Sequence, residues 1–309
     1  MNKKVIAGTI VTILTIVVIV NLLTPTKPSS PDSTSTITPT PLPNSTSSLQ
    51  VGKVTVHFID VGQGDSIFID TQGKDVLIDG GPKSAGENVV RYLLHLNITR
   101  IDIIIATHPH ADHIGGLIVV MQEFDLRGYP IITVYDSGFK VDTKIYEEYI
   151  ALAKKRNFVK AERGQRIELD NMSCITILNP TQPPPFKDPN DNSIVVRLQV
   201  NLVSFLFTGD AEKDAERSIL DAQLEVKSNI LKVGHHGSRT STSLEFLDAV
   251  KPEVAIISVG KDNPYGHPHK EIINRLVARG VRVYRTDLDG TIIISTDGVT
   301  YSVRSIIRH

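Results

Sequence analysis

The residues able to do chemistry in this chain gather in a few short strings of histidine and aspartate. Thr107-His108-Pro109-His110-Ala111-Asp112-His113 carries four metal-ligand side chains in six residues, in the pattern H-x-H-x-D-H. Neutral imidazole and carboxylate are the usual ligands of zinc and similar divalent ions. His108 and His110 lie two apart, so an extended segment lets both face one ion. Asp112 and His113 follow directly and can face a second. Thr208-Gly209-Asp210 comes after the strand-like run VSFLF. A carboxylate at a strand end can set its two oxygens between two ions. Gly234-His235-His236-Gly237-Ser238 follows another such run. Adjacent side chains diverge, so one of His235 and His236 is expected on metal. The other is left to contact substrate or shuttle a proton.

Two further carboxylates stand at glycine-rich turns, in Gly62-Gln63-Gly64-Asp65 and Asp79-Gly80-Gly81. Asp65 and Asp79 are candidates for holding the imidazoles of the first string in one tautomer. The alternative is a pair of tight turns that need glycine at positive φ. His267-Pro268-His269 is a candidate lining for the substrate mouth, or simply a turn before a helix. Ser238 and Ser241 have no Ser-His-Asp spacing and are not read as nucleophiles. His57, His95 and His309 read as structural or solvated, and Cys174 as buried and inert.

The elements that must position these residues are legible from hydrophobic periodicity. Strands are expected in VTVHFIDVG, SIFIDTQ, DVLIDGG, IDIIIATH and IITVYD, and later in SCITILNP, NSIVVRLQV, VSFLFTGD, SNILKVGHHG and EVAIISVG. VRVYRTD, TIIIST and TYSVRSII close the chain as strands. Helices are expected over residues 87–97, 115–124, 143–156, 211–223, 243–249 and 269–279. Each half opens with strands and passes into strand–helix alternation. That scheme predicts an α/β fold of two sheets packed face to face with helices outside, a four-layer αβ/βα sandwich. A doubly wound parallel sheet is the runner-up.

Composition narrows the class. Hydrophobic residues make up 40 % of the 309 and charged residues 22 %, which excludes a wholly disordered chain and a polytopic membrane protein. The net charge is −1; the first fifty residues hold Lys3, Lys4 and Lys27 against Asp32, so the remainder is at −3. No general basic excess marks a non-specific nucleic-acid binder. The single cysteine excludes an intrachain disulfide and cysteine-based zinc sites. Residues 5–23 are uncharged and apolar behind Lys3 and Lys4. As a helix they span about 28 Å, close to the hydrocarbon core of a bilayer. The expected organisation is a transmembrane anchor over 1–24, a disordered Pro/Ser/Thr-rich linker over 25–50 and one folded α/β domain over 51–309. The lysine pair predicts a cytoplasmic N-terminus and an extracytoplasmic domain on a single-pass membrane protein.

H-x-H-x-D-H, then TGD, then a later histidine resembles the metallo-β-lactamase-fold hydrolase pattern. FIDVGQGDSIFI, LIDGG, THPHADHIGG, NDNSIVVRL, FLFTGDAE, LKVGHHGSRTS and NPYGHPH resemble the hydrolase domain of ComEC-type competence proteins and their stand-alone relatives. The resemblance runs from about Val54 to Ser305. It implies that His108 and His110 bind one ion, that Asp112 and His113 bind the other, and that Asp210 bridges them. His235 or His236 then completes the second site. Enzymes of this fold often use another histidine between the first string and the bridging aspartate. This chain has none between His113 and His235. Asp191 or Asn192 in NDNSIVV is the expected substitute, Asp191 being preferred because a carboxylate is the better ligand.

Two divalent ions, Zn²⁺ or Mn²⁺, would share a water and lower its pKa for attack on phosphorus or a carbonyl carbon. Asp112, Asp210 and His235 are the candidate catalytic residues. The resemblance implies a phosphodiester substrate, with DNA during competence-linked uptake as one such substrate. Lys232, Arg239, Lys261, Lys270 and Arg285 are candidates for phosphate contact. Two alternatives stand beside a nuclease. One is a hydrolase of an envelope phosphoester of phosphocholine type or of a lactone. The other is a non-catalytic tethered binding module.

Overall fold

The computed structural model describes residues 53–307. The expected anchor, the linker and His309 lie outside them. In chain order the first part comprises β1 (Val54–Phe58), β2 (Ile67–Asp70), β3 (Val76–Ile78), α1 (Gly86–His95), β4 (Ile101–Ala106), α2 (Ala111–Arg127), β5 (Ile131–Asp136), α3 (Lys144–Ala153) and β6 (Asn157–Lys160). The second comprises β7 (Arg166–Glu168), β8 (Ser173–Asn179), β9 (Val195–Val200), β10 (Val203–Phe207), α4 (Lys213–Asp221), β11 (Ile230–Lys232), α5 (Leu244–Val250), β12 (Val254–Ile257), α6 (Lys270–Val277) and β13 (Arg282–Arg285). A short α7 (Thr286–Asp289), β14 (Thr291–Thr296) and β15 (Tyr301–Ile306) complete the chain.

The strands form two mixed sheets. One runs β15-β14-β1-β2-β3-β4-β5-β6 and the other β13-β12-β11-β10-β9-β8-β7. Two separate sheets exclude the doubly wound alternative. Side chains alternate across a strand, so each sheet has two faces to bury. In β4, Ile103 and Ile105 point into a core between the sheets, with Phe58, Phe205 and Phe207. Ile104 and Ala106 point the other way, under α1, α2 and α3. The outer face of the second sheet is covered in the same manner, Leu231 and Ile257 packing with Phe246, Leu247 and Ile272. Three stacked cores make the expected four layers.

The sequence pattern missed β6, β7 and α7. β6 is a four-residue edge strand with no fully buried position, β7 has three residues, and α7 is one turn. Such elements carry too few residues for a period to show. No helix among the described residues is long and apolar enough to cross a membrane.

Candidate metal centre

The three strings arrive at one place because each follows a strand end. β4 stops at Ala106, β10 at Phe207 and β11 at Lys232, and β10 and β11 are parallel neighbours. Ligands in open α/β sheets collect outside the carboxyl ends of such strands. α2 begins at Ala111, four residues earlier than expected, with His110 extended at its N-cap. Asp112 and His113 therefore sit in the first helical turn, while His108 and His110 stay in the loop. The helix is pinned backbone to backbone: Gly80 donates its N–H to His113 O and Gly116 donates to Gly81 O, both at 2.8 Å.

Asp210 is the hub. Its Oδ2 lies 3.3 Å from His113 Nε2, 3.4 Å from His236 Nε2, 3.7 Å from His235 Nε2 and 3.8 Å from His108 Nε2. Asp112 Oδ2 lies 3.5 Å from His236 Nε2 and 3.9 Å from His113 Nε2. His108 Nε2 and His110 Nδ1 face each other at 3.0 Å. Three groups of three have ligand atoms within 4.8 Å of one another: His108, His113 and Asp210; Asp112, His113 and His236; and, behind them, Asp65, Asp79 and His113.

The opposite ring nitrogens are spoken for, which fixes tautomers. Asp79 accepts from His113 Nδ1 at 2.8 Å and from the Thr107 hydroxyl at 2.6 Å. With its proton committed to Asp79, Thr107 Oγ1 accepts from His108 Nδ1 at 3.1 Å. His236 Nδ1 donates to Ser258 O and His235 Nδ1 to Glu212 Oε1, both at 2.8 Å. Every one of these rings turns Nε2 toward Asp210. Asp79 thus stands against an imidazole of the first string, where the sequence reading expected it.

His235 and His236 do not diverge as adjacent residues usually do. Both are left-handed, with φ of 46° and 52°, inside the turn Gly234–Gly237. That backbone costs about 1–2 kcal/mol per residue, and it brings both imidazoles to the same carboxylate. His236 is buried with its Nε2 between Asp112 and Asp210. His235 is partly exposed, and both histidines line the cavity.

Electrostatics follow from burying Asp65, Asp79 and Asp210 with His108, His113 and His236. Burial opposes charge on His113, but Asp210, Asp79 and Asp112 outweigh it and raise its pKa well above the usual value. Burial likewise opposes charge on His236, yet Asp210 and Asp112 raise its pKa to about 9. His108 is pushed well below the usual value by burial and by His113. Burial works against the Asp210 carboxylate, but His236 and His113 hold its pKa well below the usual range.

Some expectations are corrected. Asp191 joins none of the ligand groups; its Oδ1 accepts the backbone N–H groups of Glu212 and Ala215, at 3.1 and 3.0 Å, at the start of α4. Asn192 is spent on its own loop, donating to Phe186 O and Asp188 O. Asp65 holds no imidazole of the first string. Its Oδ2 pairs with Lys232 Nζ at 2.6 Å, and its Oδ1 stands 3.6 Å from His236 Nδ1. Lys232 is fully buried, donates also to Gly209 O, and is unavailable to a phosphate. Arg285 is paired with Asp287. Ser238 touches no imidazole; its hydroxyl meets Thr240 Oγ1, which donates to Glu212. His267 does line the cavity. Thr107, Glu212 and Tyr265 were not singled out in the sequence. A glutamate two residues after the candidate bridging aspartate was the one available signal for Glu212.

The donor set fits a divalent metal. His113 Nε2, His236 Nε2 and Asp210 Oδ1 are buried without a hydrogen-bond partner. Buried polar atoms are rarely left so unless something else satisfies them. His236 and Asp210 border a cavity of about 340 Å³ lined also by Gln63, His110, Asp112, His235 and His267, with Ala111 and Tyr265.

Comparison with known proteins agrees with this geometry. The model of the metallo-beta-lactamase superfamily matches residues 59–261. The chain belongs to the metallo-beta-lactamase superfamily. Members of that superfamily are commonly metal-dependent hydrolases, and this chain is related to competence proteins of the ComEC type. It is 34 % identical over 258 residues to ComE operon protein 3 of Bacillus subtilis, covering 77 % of this chain and 32 % of that one. It is 31 % identical over 238 residues to competence protein ComA of Neisseria gonorrhoeae, covering 75 % and 31 %. The chain thus spans about a third of the length of these relatives. Nucleases are also among the homologues: exodeoxyribonuclease YycJ of Bacillus anthracis is 33 % identical over 66 residues, 21 % of this chain and 25 % of that one. The fold is shared with the metallo-beta-lactamase fold protein YhfI of Bacillus subtilis, at 15 % identity and a TM-score of 0.51, covering 76 % of this chain and 96 % of that one.

Proposed function

We propose that the chain is a metal-dependent phosphodiesterase acting on nucleic acid. The observation that carries this reading is the convergence of four imidazoles, His108, His113, His235 and His236, on Asp210 Oδ2 beside an open cavity, with Asp112 Oδ2 facing two of them and His110 facing His108. His108 Nε2, His110 Nδ1 and Asp210 would hold one divalent ion, and Asp112, His113, His236 and Asp210 a second. Zn²⁺ and Mn²⁺ both suit such ligands. Bound ions there supply Lewis acidity and an acidified water for attack on phosphorus. The chain's own residues do the rest. Asp210 sets the spacing of the two sites. Asp79 and Thr107 keep His108 and His113 in the receptive tautomer. His235, steadied by Glu212, presents Nε2 to the cavity and can pass a proton to a departing oxygen.

The relatives named for competence support DNA as substrate, and the exodeoxyribonuclease supports the reaction. The cavity lining holds neither Lys nor Arg, and Ala111 is its one aliphatic side chain. Phosphate recognition therefore falls to the ions and the imidazoles. Residues 5–23 would anchor the chain and residues 25–50 would space the hydrolase domain, 51–309, from the outer face of the membrane.

The test uses the purified full chain, with bis-p-nitrophenyl phosphate and with single- and double-stranded DNA, each with Zn²⁺ or Mn²⁺. Metal-dependent cleavage of diester and DNA is expected, abolished by chelator and by Asp210→Ala. Full activity in Asp210→Ala would overturn the metal assignment. Inertness toward every phosphodiester in protein that binds metal would overturn the reaction class.

A further inference from the structure

Of the eight tyrosines and nine phenylalanines in the chain, all within the described residues, only Tyr265 is exposed. It keeps 62 % of its surface in water. Elsewhere the fold covers its aromatic rings, at least in part. The exception stands on the wall of the metal cavity, together with His267.

The Tyr265 ring stacks on His267, with centroids 5.6 Å apart and planes 26° from parallel. His267 in turn lies 6.4 Å from His236, and His236 lies 5.3 Å from His113. A row of rings runs outward from the candidate metal ligands and ends on Tyr265.

The loop that carries them is braced. Asn263 Nδ2 donates to Gly260 O at 2.9 Å and to His267 O at 2.7 Å. Asn263 Oδ1 accepts from Tyr265 N at 3.2 Å and His267 N at 3.0 Å. Gly260 N donates to Gln63 Oε1 across the cavity, at 3.2 Å. One asparagine thus braces the backbone that carries both rings before any ligand arrives, which lowers the ordering cost of binding.

We propose that Tyr265 is a stacking platform for one base of a single-stranded nucleic acid whose phosphodiester lies at the metal centre. This rests on the phosphodiesterase reading and names its substrate class. Every base has a π-face, so such a platform binds without sequence preference. Duplex bases already have both faces occupied by neighbours, so the platform takes a base from a single strand or an unpaired end. A quaternary ammonium headgroup is the competing ligand for an aromatic face, but its recognition uses a cage of several aromatic walls. Here one exposed ring is offered.

The chain has no tryptophan, so Tyr265→Trp places a single fluorophore at the platform. The probe is the full chain loaded with Zn²⁺, titrated with phosphorothioate oligo-dT, which resists cleavage, and with an abasic phosphorothioate oligomer of equal length and charge. Quenching by oligo-dT alone is expected. Equal quenching by the abasic oligomer, or displacement of oligo-dT by phosphocholine, would overturn the platform. In the metal-loaded enzyme, Tyr265→Ala is expected to raise KM for single-stranded DNA about tenfold or more, and Tyr265→Phe to restore it. Equal KM values for the alanine and phenylalanine variants would also overturn it. Quenching by oligo-dT in a chain that cleaves no phosphodiester would leave the platform standing and remove the reaction; cleavage without quenching would do the reverse.

Discussion

At the scale of single residues, the centre depends on which ring nitrogen is free. Asp79 is the deepest determinant, because it holds His113 directly and His108 through Thr107. Asp79→Asn keeps the volume but loses the charge that orients both rings. Partners of this kind are worth about 10- to 100-fold in metal affinity. A drop of that size in a Mn²⁺ or Zn²⁺ titration is expected, with far-UV circular dichroism unchanged. The metal-free centre also stores protons. The pKa of His236 rises to about 9 as Asp210 and Asp112 overcome its burial. A raised histidine pKa contributes folding stability that is fully present below the unfolded value of 6.5 and is lost as pH rises through 9. Metal must displace that proton. Apparent metal affinity should therefore climb about tenfold per pH unit from pH 6.5 to 9 on account of His236 alone. Calorimetric titrations across that range, with proton release measured in two buffers, check this; a flat profile would contradict it.

At the scale of elements, α2 carries Asp112 and His113 into the centre only because its first turn lies directly on the Asp79–Gly81 loop. A Cβ on Gly116 would stand 1.8 Å from Gly80 O, and one on Gly80 would stand 2.4 Å from Leu117 N. Neither neighbour is a side chain that can swing aside. Gly116→Ala must push α2 off the loop that holds Asp79. A loss of at least 1–3 kcal/mol is expected from such overpacking, read as a lower denaturant midpoint. Metal affinity should fall with it, since the His113–Asp79 bond spans the same contact. Gly80 was legible in the sequence as part of a glycine-rich turn, but not what faces it. Spacing along a chain does not say what lies across from it. The same limit explains Asp191. A carboxylate in NDNSIVV is a fair ligand by chemistry, yet its Oδ1 is consumed by backbone donors at the start of α4. Only the packing of α4 against that loop decides the matter.

At the scale of the whole molecule, the centre is a seam between two sheets. Asp65 precedes β2 in the first sheet, and Lys232 ends β11 in the second. Their fully buried ion pair ties the sheets together directly behind the metal ligands. Removing one partner leaves the other charged and buried, at a cost of about 3–5 kcal/mol. Lys232→Met is expected to destabilise the fold by that amount in urea unfolding. Adding Asp65→Asn should recover a large part, because the stranded charge is then gone. Additive losses in the double variant would mean that the pair is not the link.

What the sequence determined alone was local. The H-x-H-x-D-H string, the aspartate after VSFLF and the His-His pair after NILKV named the ligand types. Two-residue and 3.6-residue periods named the strands and helices that end there, and so the four layers. Tertiary structure decided everything that depends on facing. It paired Lys232 with Asp65 instead of a phosphate, gave Asp191 to a helix, and turned two adjacent histidines toward one carboxylate by a left-handed backbone. It also brought Glu212 beneath His235 and set Tyr265 at the mouth. The physical reason is common to all of these. Residue type and period are properties of a segment, whereas orientation, burial and charge pairing are properties of the space between segments, and that space exists only once the two sheets have closed.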